Sequence, residues 1–209
     1  MNPDSPPLKI LYRDAQLLAA HKPEGIATYR ESHGRGADGL KELLEESLNQ
    51  RLFPVHRIDA DTSGLVAFAL DPKSAASMIR AFREHKIRKT YSAWCTGELS
   101  GSGSIKTPLR KHKSKETESA RTDYRALKHS RGATLLEIMP FTGRFHQIRR
   151  HFDSIGHPLV GDPLYGNPES WSGFFKNAPR LMLQAQSLEF PHPKTGKIQI
   201  IRTKIPLSI

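Results

Sequence analysis

The chain is predicted to fold as an α+β protein, and three observations predict it. Segments with strand character outnumber segments with helical periodicity. The helices fall among the strands without the regular βα alternation of a doubly wound sheet. No linker or internal repeat divides the 209 residues, so residues 9–209 read as a single domain with a substantial core, behind a loose proline-rich segment over 1–8.

The elements follow in order. Leu17-Leu18-Ala19-Ala20 reads as a short strand that stops at the turn Lys22-Pro23-Glu24-Gly25. Gly34, Gly36 and Gly39 make residues 30–39 a flexible loop close to substrate, and 40–48 has helical apolar spacing. Leu65-Val66-Ala67-Phe68-Ala69-Leu70 is a continuous apolar run ended by Asp71-Pro72, the pattern of a buried strand. Asp71 is the N-cap of the next helix and Pro72 lies in its first turn, with Ala75, Met78, Ile79 and Phe82 as one apolar stripe. A strand over 90–95, a turn over 97–103 and a basic loop over 110–115 come next. Strands near 119–127 and 134–139 follow, then a helix over 145–155, a Gly/Pro-rich loop, and strands near 181–190 and 198–205.

Composition narrows the function. A formal net charge of +11 favours a polyanionic partner, nucleic acid ahead of a membrane surface. The lone cysteine, Cys95, forms no internal disulfide and reads as a buried structural residue. The N-terminus lacks the basic and apolar regions of a signal peptide, and no apolar stretch has the length of a membrane span, so a cytoplasmic protein is expected.

One stretch concentrates chemistry. His56-Arg57-Ile58-Asp59 and Asp61-Thr62-Ser63-Gly64 set acids and a guanidinium at the lip of the buried strand, where a rigid element supports a precise site. The same residue types also describe a surface turn in which Asp59 or Asp61 caps the backbone. On the 145–155 helix, Phe145, Ile148, Phe152 and Ile155 form the apolar stripe, and Arg149 projects on that side while Arg150 points away. A core-facing arginine needs a carboxylate or phosphate; Asp59 is the partner this sequence offers, and snorkelling along the edge of the stripe is the alternative. Arg110, Lys111, Lys113 and Lys115 make the plainest phosphate-binding run, with Arg144, His146 and Arg150 able to add contacts, although such a run also suits a solvated face.

The order of these residues carries more than their types. His-Arg-Ile-Asp-x-x-Thr-Ser-Gly over 56–64 closely resembles the signature of the RluA-type pseudouridine synthases. Further segments match in the expected order: Leu11-Tyr12-Arg13-Asp14, His21-Lys22-Pro23-Glu24-Gly25, Arg88-Lys89-Thr90-Tyr91-Ser92-Ala93, Thr142-Gly143-Arg144-Phe145-His146-Gln147-Ile148-Arg149, and Gly156-His157-Pro158-Leu159-Val160-Gly161-Asp162. His21 stands where the family has Asn, and Gln184 where it has His; the second departure implies an altered packing contact. The resemblance spans about residues 9–205.

The resemblance implies a mixed, largely antiparallel central sheet with flanking helices and a basic RNA-binding cleft; many relatives carry an extra N-terminal RNA-binding domain, for which the stretch before the motif is expected to leave no room. It implies isomerisation of uridine to pseudouridine in RNA, with a tRNA or ribosomal RNA stem-loop as the expected substrate; because that isomerisation is redox-neutral no metal or organic cofactor is expected, and the chain is expected to act as a monomer. Asp59 matches the family's essential aspartate, Arg149 the arginine that pairs with it, Tyr91 the active-site tyrosine, and Arg57 the residue that helps extrude the nucleotide. His56, Arg144 and His146 join the basic run as RNA contacts, and Asp61 takes a capping or turn role. Two rival readings stand beside this one. A basic RNA-binding module without activity would keep the positive surface but not need Asp59. A metal-dependent glycosyl or phosphoryl transferase would use Asp59-x-Asp61, though no Gly-Lys-Ser/Thr motif, His-Glu-x-x-His motif or Cys-His cluster accompanies it.

Overall fold

A computed structural model describes residues 8–30, 37–166 and 178–207. The 1–8 segment and the Gly34 and Gly36 part of the 30–39 loop lie almost wholly outside the described residues. The chain forms two compact units, one of Met1–Ile87 with Ala185–Ile205 and one of Arg88–Gln184 with Pro206–Ile209.

The first unit contains β1 (Lys9–Arg13), β2 (Leu17–Lys22), α1 (Leu40–Leu48), β3 (Phe53–Pro54), β4 (Ser63–Ala69) and α2 (Pro72–Arg83). Strand β2 pairs antiparallel with β1 and with β4, in a register that sets Leu17 against Ala69 and Lys22 against Gly64. That register brings the turn leaving β2 beside the turn entering β4. Every residue of β4 is buried, as its uninterrupted apolar run requires. Leu65, Val66 and Phe68 each contribute about 1.5–3 kcal/mol through that burial. Helix α2 starts as expected: the Asp71 carboxylate accepts the Ser74 N–H at 2.8 Å, and Pro72 occupies the first turn. Ala75, Met78 and Ala81 are its buried face; Ile79 is only half-buried. Late in the chain β11 (Leu183–Pro191) pairs antiparallel with β12 (Ile198–Arg202), adding Leu188, Phe190 and Ile201 to a core with Leu17, Leu65 and Met78.

Gly64 shows how tightly β4 begins. Its φ is +112°, and a Cβ there would stand 2.3 Å from the Ala185 carbonyl oxygen. Only glycine fits both the conformation and the approach.

The second unit contains β5 (Arg88–Thr96), β6 (Ser102–Ile105), β7 (Leu109–Arg110), β8 (Thr117–Glu118), β9 (Thr122–Ser130), β10 (Ala133–Pro140) and α3 (Gln147–Ser154). The order β5-β10-β9-β6 is antiparallel throughout, and β9 turns into β10 through Arg131 and Gly132, both at positive φ. Ile148 and Phe152 of α3 pack on Ala93, Cys95, Leu136 and Ile138. Cys95 is buried as predicted, and burial pushes its thiol up to about 12.

Three details depart from the sequence expectations. The basic stretch 110–115 is not a free loop but the end of a hairpin, with Arg110 in β7 paired to Thr117 in β8. The third helix begins at Gln147 rather than at 145, because His146 sits at φ +50°. The Gln147 Oε1 accepts the Thr142 hydroxyl at 2.6 Å and the Arg144 N–H at 3.0 Å, and its Nε2 donates to the Arg121 carbonyl at 2.9 Å. These bonds hold the preceding residues out of the helix. The apolar stripe is correspondingly shorter: Ile148 and Phe152 are buried, whereas Phe145 is 42% and Ile155 37% exposed.

Candidate active site

The turn that carries Asp59 is built between two strand ends and fastened from both sides. Thr28 is buried; its hydroxyl donates to the Ile58 carbonyl at 3.0 Å and accepts the Ile58 N–H at 3.1 Å. The Thr62 N–H closes the turn on the Asp59 carbonyl at 3.1 Å. The Ala60 carbonyl accepts the Gly25 N–H at 3.0 Å, which ties this turn to the Pro23–Gly25 turn after β2. Beneath both lies Lys22, with 0% exposure, whose Nζ donates to the carbonyls of Pro23 (2.8 Å), Ile26 (2.7 Å) and Ala60 (2.7 Å).

A lysine with all three N–H groups on carbonyls is a cross-brace. Burial draws its pKa down to about 8, against the opposing pull of Asp59, Glu24 and Asp61. The attraction is mutual, so Lys22 supplies positive potential under the half-buried Asp59. In the sequence Lys22 reads only as a turn residue. The available signal was a lysine between a buried strand and a Pro-x-Gly turn, where no solvated lysine belongs.

The neighbours of Asp59 have distinct surroundings. The His56 Nε2 accepts the Ala67 N–H of β4 at 2.9 Å, and the ring stacks on Phe82 of α2 with centroids 5.2 Å apart, so His56 also anchors the strand. Arg57 is exposed, its guanidinium 5.4 Å from the centre of the Tyr29 ring, a cation–π contact that presents the charge at the surface. Asp61 is half-buried beside the same lysine field. Among the described residues no group of three or more His, Cys, Asp or Glu side chains is placed to hold a metal ion.

The second unit holds the other predicted residues. Tyr91 is half-buried on β5, opposite Ile138 of β10 and packed on the cluster under α3. Arg149 does turn inward, with 1% exposure. Its Nε and Nη2 donate to the two oxygens of Asp162 at 2.8 and 2.7 Å, and its guanidinium carbon lies 5.4 Å from the centre of the Tyr165 ring. Burial by itself would raise the Asp162 carboxyl, but the Arg149 bonds and the Leu164 and Tyr165 amides outweigh it and hold it below its ordinary value. Asp162 was missed from sequence, where it appears as one acid in a Gly/Pro-rich loop.

The remaining cations form a surface with aromatic character. Lys111, Lys113 and Lys115 are exposed on the β7–β8 hairpin, where Lys111 pairs with Glu116 at 2.6 Å, worth at most about 1 kcal/mol. The Arg110 carbonyl accepts Arg150 at 2.9 Å. Arg144 is held by Glu118 at 2.8 Å and by the Ser119 carbonyl at 3.0 Å. The His146 ring stacks on Phe145 with centroids 3.7 Å apart and meets the Tyr165 hydroxyl at 3.2 Å, while His112 of the hairpin lies 4.2 Å from Phe145. Exposed rings interleaved with lysines suit nucleic acid better than either feature alone.

Comparison with known proteins identifies the family. Residues 16–154 match the model of the family described as RNA pseudouridylate synthase. The chain is 34% identical over 221 residues to tRNA pseudouridine synthase C of Vibrio cholerae, covering 93% of this chain and 90% of that one. It is 34% identical over 215 residues to ribosomal large subunit pseudouridine synthase D of Nitrosomonas europaea, covering 96% of this chain and 62% of that one. Among solved structures, Human RNA Pseudouridylate Synthase Domain Containing 1 superposes with a TM-score of 0.81 at 26% identity, over 99% of this chain and 87% of that one.

Proposed function

The chain belongs to the RNA pseudouridylate synthase family and isomerises uridine in RNA, and from that premise we propose how its residues divide the work. The reaction breaks the bond from ribose C1′ to uracil N1, turns the freed base, and rejoins it through C5, which gives up its proton. Asp59 is the nucleophile or base at the sugar or the uracil. Tyr91 stacks on the turned base. Arg149 is the guanidinium partner of Asp59, and a guanidinium gripped from one edge by Asp162 is oriented in advance for a second carboxylate. Arg57 aids extrusion of the target nucleotide, a step costing a few kcal/mol and less in a loop. The reaction is redox-neutral and carries its own leaving group, so it calls for no metal or organic cofactor.

The observation that carries this reading is the bracing of the Asp59 turn by Lys22 and Thr28. A capping aspartate on a surface turn would need no buried lysine beneath it. The rival binding module gives no reason for that brace. The RNA is a stem-loop of tRNA or ribosomal RNA, gripped by the β7–β8 hairpin lysines with His56, Arg144 and His146 at hand. Relatives named for tRNA and for the large ribosomal subunit support both classes. Mapping of pseudouridine in tRNA and ribosomal RNA from cells with and without the gene tests this. Loss of one or a few pseudouridines in such loops is expected, and an unchanged map contradicts the assignment.

A further inference from the structure

Lys89 is a half-buried cation on the strand that carries Tyr91. It lies on β5 two residues before Tyr91, so both side chains stand on one face of the strand. That face also presents Ala93 and Cys95 to Ile148 and Phe152 of α3. The half-buried Arg144 is held by Glu118 and the buried Arg149 by Asp162, while the half-buried Arg150 donates to the Arg110 and Phe145 carbonyls. Lys89 is half-buried, yet among the described residues its Nζ meets one neutral acceptor, the Thr142 carbonyl at 3.0 Å, and no carboxylate. Burial alone draws its pKa down to about 8, and no neighbouring acid opposes it.

An ammonium taken partly out of water without a counter-ion is costly, and such groups gather where the charge is used. The space beside this one is open. Gly143 is exposed, and a Cβ built there would stand 3.7 Å from the Lys89 Nζ with nothing else within 4 Å. Gly143 is not among the residues at positive φ, so its backbone conformation does not demand glycine. What the missing side chain provides is access to the ammonium.

We propose that Lys89, with the open flank at Gly143, is a phosphate site for the RNA substrate, the ammonium binding a non-bridging oxygen of a backbone phosphate beside Tyr91. A full negative charge is what the site lacks; a uracil carbonyl, being neutral, would leave the ammonium uncompensated. The inference rests on the RNA-modifying reading and adds to it a specific anchor for the nucleotide chain on the strand that carries Tyr91.

The test is binding of an unmodified tRNA transcript to the whole chain between about 50 and 200 mM salt. Relative to wild type, Lys89→Met is expected to weaken binding at low salt and to make the slope of log affinity against log salt shallower by about 0.7–0.9, the mark of one lost phosphate contact. Lys89→Arg keeps the slope. Gly143→Val leaves the charge in place but fills its flank, and is expected to reproduce the shallower slope. The Tm of Lys89→Met is expected to equal or exceed that of wild type, because an uncompensated charge has been removed. An unchanged slope in both Lys89→Met and Gly143→Val overturns the phosphate site, as does an unchanged slope with a lowered Tm, which makes Lys89 a prop for the Thr142 turn. Failure of the wild type itself to bind both this transcript and an unmodified ribosomal RNA transcript overturns the RNA reading on which the site rests.

Discussion

Replacing Lys22 by methionine removes the brace under the Asp59 turn while keeping its length and apolar stem. Three N–H···O bonds are lost, to Pro23, Ile26 and Ala60, and the Ala60 carbonyl retains the Gly25 N–H. The Pro23 and Ile26 carbonyls are therefore the ones left wanting, at about 1–3 kcal/mol each. Against this stands the cost of keeping the ammonium buried: a pKa of about 8 in place of 10.5 corresponds to roughly 3 kcal/mol. The two nearly cancel, so Lys22→Met is expected to shift stability at pH 7 by no more than about 3 kcal/mol. Turnover has no such compensation, and a displacement of the Asp59 turn by an ångström costs on the order of 10²-fold in kcat.

Urea unfolding at two pH values separates the terms. The folded pKa of Lys22 is depressed, so between about 8 and 10.5 the unfolded chain holds the proton more tightly and stability rises with pH. Lys22→Met lacks that gain. The difference in stability between wild type and variant should therefore grow in favour of wild type by about 2 kcal/mol from pH 7 to about pH 9.5. A difference that does not move with pH, or a variant with wild-type kcat, would refute the bracing argument.

Two further substitutions probe the frame around the site. Asp162→Asn replaces the charge that two Arg149 bonds hold by a neutral amide; unfolding should show a loss of about 3–5 kcal/mol, and a loss under 1 kcal/mol would mean that this buried pair carries little of the stability. Gly64→Ala sets a Cβ 2.3 Å from the Ala185 carbonyl in a backbone at φ +112°, so a Tm drop corresponding to more than about 2 kcal/mol is expected; an unchanged Tm would mean that the start of β4 yields freely.

How much was legible in the sequence follows from the range of each interaction. Helix α1 appears over Leu40–Leu48 where its spacing placed it, and Asp71-Pro72 starts α2, because apolar periodicity and capping act within a few residues. The buried β4 was readable from one apolar run, and the inward turn of Arg149 from its place on the stripe. What failed to show was pairing across the chain. Lys22 meets Ala60, and Arg149 meets Asp162, through a strand register and a folded loop that no local pattern specifies. The start of α3 was misplaced for a related reason: Gln147 reaches back to Thr142 and across to Arg121, and that network outweighs the helical propensity of the residues before it. The basic run was visible as charge, but its hairpin depends on the backbone bond from the Lys111 N–H to the Glu116 carbonyl at 2.8 Å.

The central claim is that Asp59, on its braced turn, drives uridine isomerisation. Tritium release from RNA labelled at uracil C5 tests it most directly, with wild type and Asp59→Asn compared in the presence of EDTA, because C5 must lose its hydrogen when the new glycosidic bond forms there. The account predicts release by wild type and none above background by Asp59→Asn, with RNA affinity retained by both. Release by Asp59→Asn at the wild-type rate would contradict it and move the chemistry to another residue.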